Sequence, residues 1–190
     1  DLTLDNSDYW VLYTMEAMAI SLEKLDAGLV CFYLFNIVHL KEGEGIFQDA
    51  GIPHAYLRGQ NVELMACSDN VIRGGLTPKY VDIVELLKIV DCREVIPQII
   101  SAAPQNQSEF TYKTLVNDFA LAQIRVEPEM HTKVNLQSAG ILLVMQGELK
   151  IQEKSTALTL KQGESAFITA DSNVEIMSEK GGYAFLAKLP

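Results

Sequence analysis

Cysteine, tryptophan and basic residues are all scarce in this 190-residue sequence. It holds three cysteines, and no two of them form a C-x-x-C pair. This spacing argues against a structural zinc site and favours reduced thiols in a cytoplasmic protein. With 15 lysines and arginines against 25 aspartates and glutamates, the net charge is −10. Such a polyanion repels phosphate backbones, so general nucleic-acid binding is not expected, although a local basic cleft can still hold a small phosphate.

A membrane-spanning run is also missing. The longest apolar stretch, residues 27–40, is interrupted by Gly28 and by two polar residues. A spanning helix needs about 20 predominantly apolar residues, so no membrane partner is expected. No basic region followed by an apolar stretch opens the chain, and the sequence predicts no secretion signal. Because the first residue is Asp1 rather than methionine, we expect the native N-terminus to lie upstream.

Helical periodicity is confined to two stretches. Residues 8–25 place apolar side chains three and four apart, with Asp8 as the expected cap, and residues 78–90 show the same spacing. Residues 29–66 instead carry short runs of aromatic and β-branched residues, broken by glycine and proline turns, which is typical of an antiparallel sandwich or barrel. The expected short strands of this region lie at residues 46–47, 54–57 and 62–66.

The C-terminal half shows the β pattern again. From residue 114 onward, apolar runs alternate with glycine turns, and strands are expected at residues 120–126, 139–145, 146–151, 157–160, 162–168 and 183–187. Residues 97–109 are instead rich in proline, asparagine and glutamine and are expected to be a connector. The segment Leu40-Lys-Glu-Gly-Glu-Gly-Ile-Phe47 parallels Leu160-Lys-Gln-Gly-Glu-Ser-Ala-Phe167, a weak internal repeat that suggests two units related by duplication. The sequence therefore predicts a mainly β chain of jelly-roll or cupin-like antiparallel units with a few helices.

The densest run of chemically active residues lies between positions 51 and 79. His54 and Tyr56, at even spacing, would share one face of a strand, and a neutral imidazole there is a common metal ligand, although a lone histidine is more often structural. Arg73 precedes two glycines, which allow close backbone approach to a ligand, and a guanidinium suits a phosphate or an oxyanion; the alternative is a solvated loop arginine. Lys79, at an expected helix start, is equally consistent with a solvated side chain.

Two motifs in this run carry a family resemblance. His54-Ala-Tyr-Leu57 and Met65-Ala-Cys-Ser-Asp-Asn-Val-Ile-Arg-Gly-Gly-Leu-Thr-Pro-Lys79 resemble the signature of the type I phosphomannose isomerases. The match is close over residues 35–87 and looser from residue 119 to the end. The resemblance implies a cupin-like catalytic domain that holds one zinc ion and interconverts mannose 6-phosphate and fructose 6-phosphate.

The resemblance also implies roles for five residues. His54 falls on the family's last zinc ligand, and Arg73 falls on its catalytic arginine. Glu63 and Tyr56 fall on pocket positions, and Lys79 falls on a position near the substrate phosphate. Aldose–ketose isomerisation moves a proton between C1 and C2 through an enediol. Glu63 is therefore suited to carry the proton as a catalytic residue, and Arg73 to stabilise the negative charge.

The sequence departs from the family pattern at the metal. The family's zinc is held by a Gln-x-His-Pro motif, a His-Lys-Pro-Glu motif and the late histidine, and neither motif occurs here. One histidine does not make a tetrahedral site, so we expect neither zinc binding nor activity in this chain alone, and both in a longer parent. The later β unit has Glu127-x-Glu129-x-His131 in place of the paired histidines of metal-binding cupins, which is more typical of a charged outer strand face.

These observations predict a division of the chain into four parts. The polar, proline-rich stretch provides the expected boundary between two β domains. The parts are the end of a helical segment at 1–28, a partial catalytic cupin-like β domain with a following helix at 29–96, a connector at 97–113, and a degenerate cupin-like β domain at 114–190.

Three functions stay open at this point. The first is a sugar-phosphate isomerase of which this chain is the C-terminal part. The second is a non-catalytic cupin-like sugar-phosphate-binding or regulatory module, and the third is a plain interaction domain. In each case a small sugar phosphate or a protein is the expected partner. Because a truncated barrel exposes apolar edges, self-association of the chain is also expected.

Overall fold

The computed structural model describes residues 3–68 and 70–190, which fall into two compact units. The first unit contains the helices and four of the five predicted site residues, while Glu63 belongs to the second. The first unit consists of the residues up to Lys41 together with Ile46–Val62 and Cys67–Gln98, and the second of Glu42–Gly45, Glu63–Ala66 and Ile99–Pro190.

Helix α1 (Ser7–Ala17) begins where the sequence predicts but ends early. The Asp8 N–H donates to the side-chain oxygen of Asn6 at 2.7 Å, so Asn6 rather than Asp8 is the cap. The predicted end at residue 25 is wrong. The chain leaves the helix at Ala19, whose φ of +53° lies in the left-handed region, and no helix continues through that conformation.

The stretch that follows α1 is helical rather than extended. A 3₁₀ turn, Ala27–Val30, runs into helix α2, Cys31–Leu34. Leu29 and Phe32 are buried together with Trp10 in the small core of the first unit. The sequence indicates no helical period here, and that reading is wrong. Leu29 and Phe32, three residues apart, share a helical face once Trp10 provides a surface to pack on.

The strands predicted at 54–57 and 62–66 are not formed. Neither segment has a hydrogen-bonded neighbouring strand among the described residues, and a strand needs such a neighbour to pair its backbone groups. The predicted strand at 46–47 is displaced by about one residue and appears as β1 (Glu44–Ile46). It forms a two-stranded sheet with β2 (Ile99–Ser101).

Helix α3 (Ile83–Ile89) is shorter than the predicted 78–90. It begins after Asp82, whose carboxylate accepts a hydrogen bond from the Glu85 N–H at 3.0 Å and so caps the helix. No residue of α3 is buried. None of the helices in the described ranges has the length and apolar character needed to cross a bilayer.

The second unit is built from antiparallel β-strands in two sheets. In its described residues the further strands are β3 (Ala103–Pro104), β4 (Glu109–Tyr112), β5 (Ala120–Val126), β6 (His131–Leu136), β7 (Gly140–Gln146), β8 (Glu148–Glu153), β9 (Thr156–Lys161), β10 (Ser165–Ile168), β11 (Ser172–Met177) and β12 (Gly182–Lys188). One sheet has the order β10-β7-β12-β5-β4-β3, and the other has the order β6-β11-β8-β9. All recorded neighbours within these two sheets are antiparallel.

The inner faces of the two sheets supply the core of the second unit. Alternate residues point inward, as in β6, where every second side chain is buried. The largest fully buried side chains come from both sheets, and they are Ile124, Val134, Leu142, Val144, Leu149, Ile176 and Leu186. The expectation of a mainly β fold of antiparallel units with a few helices is confirmed.

Strands occur within the segment that the sequence predicts as a connector. β3 pairs with β4, and the Asn106 side-chain oxygen accepts hydrogen bonds from the N–H groups of Ser108 and Glu109, each at 2.8 Å. The run rich in proline and amides therefore forms the turn of a hairpin, because an asparagine side chain can replace the backbone as acceptor in a tight turn.

The two halves of the internal repeat share a turn. Gly43 and Gly163 have φ of +81° and +84°, and each precedes a strand, β1 or β10. Glycine adopts this left-handed conformation without the steric cost that a side chain adds. The origin of the repeat by duplication stays a prediction.

Candidate functional site

His54 and Tyr56 lie side by side in a segment of the first unit that belongs to none of the described strands. Their ring centroids are 6.0 Å apart, and the ring planes meet at 69°. The Nδ1–H of His54 donates to the Ile52 carbonyl oxygen at 3.0 Å. Because a carbonyl only accepts, Nδ1 carries the proton of the neutral ring, and Nε2 keeps its lone pair. The solvent-exposed imidazole therefore offers one nitrogen suited to a metal or a substrate hydroxyl.

The loop that carries Arg73 is held by Asp26. The Asp26 carboxylate accepts hydrogen bonds from the Gly28 N–H at 2.7 Å and from the Leu76 N–H at 3.2 Å. A Cβ atom on Gly75 would lie 3.0 Å from Asp26 Oδ1 and 3.2 Å from Gly28 Cα. The loop thus passes so close to the 3₁₀ turn that a side chain at position 75 would force a shift, and Arg73, half-buried, projects from a fixed backbone.

The two glycines after Arg73 serve different purposes. Gly75 permits close backbone packing against Gly28, whereas a Cβ on Gly74 would meet no atom within 4 Å. Only Gly74 therefore fits the expectation that glycine leaves open space for a ligand beside the backbone. Asp26, which fixes the loop, was not among the predicted site residues. Its position two residues before Gly28 at the start of a helical turn is the N-cap signal that would have identified it.

Lys79 and Glu63 are exposed, and neither side chain forms a hydrogen bond or ion pair with a residue in the described ranges. The backbone N–H of Lys79 donates to the hydroxyl of the threonine two residues earlier at 3.2 Å, which gives this loop a local turn. Within the first unit, the structure brings only His54 and Tyr56 of the predicted residues into contact. Asp69, which is part of the same signature, lies outside the described residues.

Cys31 is not activated as a nucleophile. All three are free thiols. Burial, followed by the negative charge of Asp26, raises the pKa of the Cys31 thiol. A thiol with a raised pKa stays protonated near neutral pH, and the thiolate is the reactive form. Cys31 is therefore not a candidate for the chemistry of the site.

The residues present do not fit a zinc site. Within residues 3–68 and 70–190, no three side chains of histidine, cysteine, aspartate or glutamate are grouped so that they could hold a metal ion. His54 is suited to be one ligand, but zinc in proteins takes about four ligands, three of them from protein even at a catalytic site. No chemical step is therefore assigned to zinc on this chain.

Comparison with known proteins connects this site to an enzyme family. Residues 108–180 match the family model described as the cupin domain of mannose-6-phosphate isomerase. The chain is 41% identical over 150 residues to the mannose-6-phosphate isomerase of Escherichia coli, which covers 78% of this chain and 38% of that protein. It is 34% identical over 159 residues to the human enzyme, covering 80% of this chain and 38% of that one. The chain thus spans about two fifths of the length of the curated relatives it matches.

Solved structures give the same connection. A mutant of phosphomannose isomerase from Salmonella typhimurium superposes with a TM-score of 0.74 and 32% identity, covering 94% of this chain and 45% of that one. Mannose 6-phosphate isomerase from the same organism, bound to fructose 6-phosphate and a zinc atom, gives a TM-score of 0.73 and 32% identity, covering 94% of this chain and 49% of that one. The cupin-like fold predicted from the sequence is confirmed by the family match. By its cupin domain, its sequence and its fold, this chain belongs to the mannose-6-phosphate isomerase family.

Proposed function

We propose that this chain is the C-terminal part of a zinc-dependent isomerase that interconverts mannose 6-phosphate and fructose 6-phosphate in the cytoplasm. One observation carries the proposal. The chain is similar over 94% of its length to a Salmonella enzyme that is seen with fructose 6-phosphate and zinc, and it covers only 49% of that enzyme. The three free thiols fit a reducing compartment. The remaining polypeptide would then supply the zinc ligands that the described residues lack.

The packing of the first unit supports the need for further chain. In its described residues, only Trp10, Leu29 and Phe32 are buried hydrophobic side chains, which is a small core for its size. Large apolar side chains of the same unit remain in solvent, with exposed fractions of 73% for Leu34, 63% for Ile83, 69% for Val84 and 71% for Leu87. Such surface is typical of an interface that another segment covers. We expect the 190-residue chain by itself to self-associate through it, as measured by size-exclusion chromatography with light scattering.

Each predicted residue has a role in this proposal that suits its chemistry. Arg73, on a backbone held by Asp26, stabilises the negative charge that develops on the enediolate oxygens. Glu63 carries the proton between C1 and C2. With the zinc ligands of the remaining polypeptide in place, His54 would contribute its Nε2 to the metal, Tyr56 would contact the sugar, and Lys79 would bind the substrate phosphate. These roles are the family's, and only the contact between His54 and Tyr56 is observed here.

The proposal is tested on the parent open reading frame. The full-length protein is assayed for conversion of mannose 6-phosphate, with zinc added and with a chelator. We expect activity that the chelator abolishes and that zinc restores, and no activity in the 190-residue chain alone. Arg73→Ala in the parent should lower kcat/KM about a hundredfold or more, the usual effect of removing a group that stabilises transition-state charge.

Arg58→Ala is the matched control. Arg58 is an exposed arginine four residues after His54, and no catalytic role is proposed for it. It should leave kcat/KM within about twofold, because surface substitutions away from a site have small effects. Equal losses in the two variants would remove Arg73 from the mechanism. A parent that binds mannose 6-phosphate but does not convert it with zinc present would identify the non-catalytic binding module instead.

A further inference from the structure

The outward face of the four-stranded sheet is basic, although the whole protein carries a net charge of −10. Side chains alternate between buried and exposed along β6 and β8, and residues opposite one another in register share a face. Glu148 lies opposite Lys161, and Lys150 lies on the same face two residues further along β8. Among the described residues, this face carries two glutamates, Glu148 and Glu175, and four lysines. The lysines are Lys133 on β6, Lys150 on β8, Lys154 in the β8–β9 turn and Lys161 on β9.

A depression with a volume of about 410 Å³ lies on this face. In register, Asn135 is opposite Asn173, while Glu175 is opposite both Lys133 and Gln152. Strands lie about 5 Å apart and alternate residues of one strand about 7 Å apart, so three strands and two rows form a patch of about 10 by 7 Å. A patch of this size suits one sugar ring with one attached group. Its polar lining residues are Lys133, Asn135, Gln152, Lys154, Asn173 and Glu175.

Most of these polar groups have no partner in the part of the chain that the structure describes. The side chains of Lys133, Asn135, Gln152 and Lys154 form no hydrogen bond or ion pair with any residue in the described ranges. Their donors and acceptors are therefore available to a ligand. Glu175 differs, because it lies on the middle strand between Lys133 and Gln152 and its Oε1 lies 3.3 Å from Nδ1 of His131.

The floor of the depression is rigid. The strands beneath it bury Val134, Val174 and Ile176 on their other face, and each is at most 4% exposed. At one end, the carboxylate of Glu153 accepts a hydrogen bond from the Asn173 N–H at 3.1 Å and so ties the β8–β9 turn to β11. The packed sheet fixes the backbone positions of the lining residues, which lowers part of the conformational cost of binding.

The lining indicates the class of ligand. Carboxamide groups present a donor and an acceptor together, a pattern that matches neighbouring hydroxyl groups, and two ammonium groups match a phosphate. No aromatic side chain lines the depression, so it lacks the stacking platform that single-stranded nucleic acids use. A volume near the lower end of the usual range for small-molecule sites also favours a small ligand.

We propose that this depression binds a small phosphorylated polyol. Lys133 and Lys154 take the phosphate, and the carboxamides of Asn135, Gln152 and Asn173 take the hydroxyl groups. The site lies wholly in the second unit, and none of the residues assigned to isomerisation lines it. Ligand binding at the depression can therefore be tested separately from the proposed isomerase activity.

The test is a titration of the 190-residue chain followed by amide chemical shifts in NMR. Three probes are used: mannitol 1-phosphate, inorganic phosphate, and mannitol. Mannitol 1-phosphate has no carbonyl and is not a substrate for isomerisation, so its binding is separate from catalysis. We expect saturable shifts confined to β6, β8 and β11 with a Kd on the order of 1 mM, weaker binding of phosphate and the weakest of mannitol. Absence of saturation up to about tenfold that concentration, or shifts centred elsewhere, would overturn the proposal.

Two variants and one control distinguish a defined binding site from nonspecific electrostatic attraction of the phosphorylated probe to the basic face. Lys133→Gln and Asn135→Ala each remove one lining group and should weaken binding of mannitol 1-phosphate about tenfold and about threefold. Lys150→Gln removes the same charge from the same face outside the depression and should change the Kd by less than about twofold. If Lys133→Gln and Lys150→Gln weaken binding of mannitol 1-phosphate equally, the attraction is nonspecific and the proposed site is refuted. An otherwise unchanged spectrum shows that each variant is folded.

Discussion

Replacing Asp26 by alanine tests whether this residue fixes the Arg73 loop. The carboxylate accepts one hydrogen bond within the 3₁₀ turn, from Gly28 at 2.7 Å, and one from the loop, from Leu76 at 3.2 Å. Alanine removes both acceptors and leaves two N–H groups without a partner. The first unit should therefore become less stable, and the loop after Arg73 should become mobile.

The magnitude follows from the two bonds. Loss of a helix N-cap costs about 0.5–2 kcal/mol, and leaving a partly buried N–H unpaired costs about 1–3 kcal/mol. Because Asp26 is only half-buried, water compensates part of the second loss, and we expect about 2–3 kcal/mol in total. Asp26→Asn keeps one acceptor oxygen and should cost about half as much.

The chain provides its own probe for this measurement. Trp10 is the one tryptophan of the sequence, and it lies 4% exposed in the core of the first unit. Its fluorescence during urea denaturation therefore reports unfolding of that unit. Hydrogen exchange of the peptide spanning residues 70–79 reports the loop itself, and the Leu76 amide should exchange faster in Asp26→Ala.

Glu23→Ala is the control, since Glu23 is an exposed acid close in sequence, and it should leave both measurements unchanged. If Asp26→Ala unfolds at the same urea concentration as the original chain and the Leu76 amide stays protected, Asp26 does not position the loop. The roles argued for Asp26 and Gly75 would then both be wrong.

Three further predictions concern the second unit. Gly147 and Gly163 have nearly equal φ, +83° and +84°, but only at Gly147 would a new Cβ lie 2.5 Å from a backbone carbonyl oxygen. Gly147→Ala should therefore destabilise the unit by about 1–3 kcal/mol more than Gly163→Ala in urea denaturation, and equal losses would contradict the clash. Leu142→Ala, at a fully buried position, should cost about 2–5 kcal/mol by circular dichroism in urea, and a loss well under 1 kcal/mol would contradict the core assignment. Burial raises the pKa of Tyr112, whose hydroxyl donates to Gly43 at 2.9 Å. Its contribution to stability is thus complete below pH about 10 and falls as the pH rises towards the folded pKa, so Tyr112→Phe should flatten the alkaline decline in melting temperature, and an unchanged decline would refute this.

The β unit at the C-terminus was predictable because its signals are local. Strand β5 was expected at 120–126 and occurs there, and β7, β8, β9 and β12 lie within about two residues of their predicted positions. Each has apolar residues at inward positions and a glycine turn nearby, and such a strand finds its partners within the same unit. Two strands, β6 and β11, were missed because their outward residues are polar, among them Lys133 and Glu175, and this weakens the apolar run that marks a strand.

The region around the candidate site was less predictable because its pattern depends on partners. Residues 54–57 have strand composition, yet no neighbouring strand among the described residues pairs with them. Leu29 and Phe32 also have strand composition, yet they form a helical face against Trp10. Composition gives the preference of a segment, and tertiary contacts decide which structure satisfies its backbone.

The sequence by itself determined the family and the mainly β class, because these are written in short motifs and in local periodicity. Only the tertiary structure decided that Asp26 fixes the Arg73 loop, since the hydrogen bond runs from the Leu76 N–H in that loop to the carboxylate of Asp26, 50 positions earlier. Only register across three strands gathered Asn135, Gln152 and Asn173 into one polar depression. Side chains distant in the sequence come together through packing and strand pairing, which no single segment encodes.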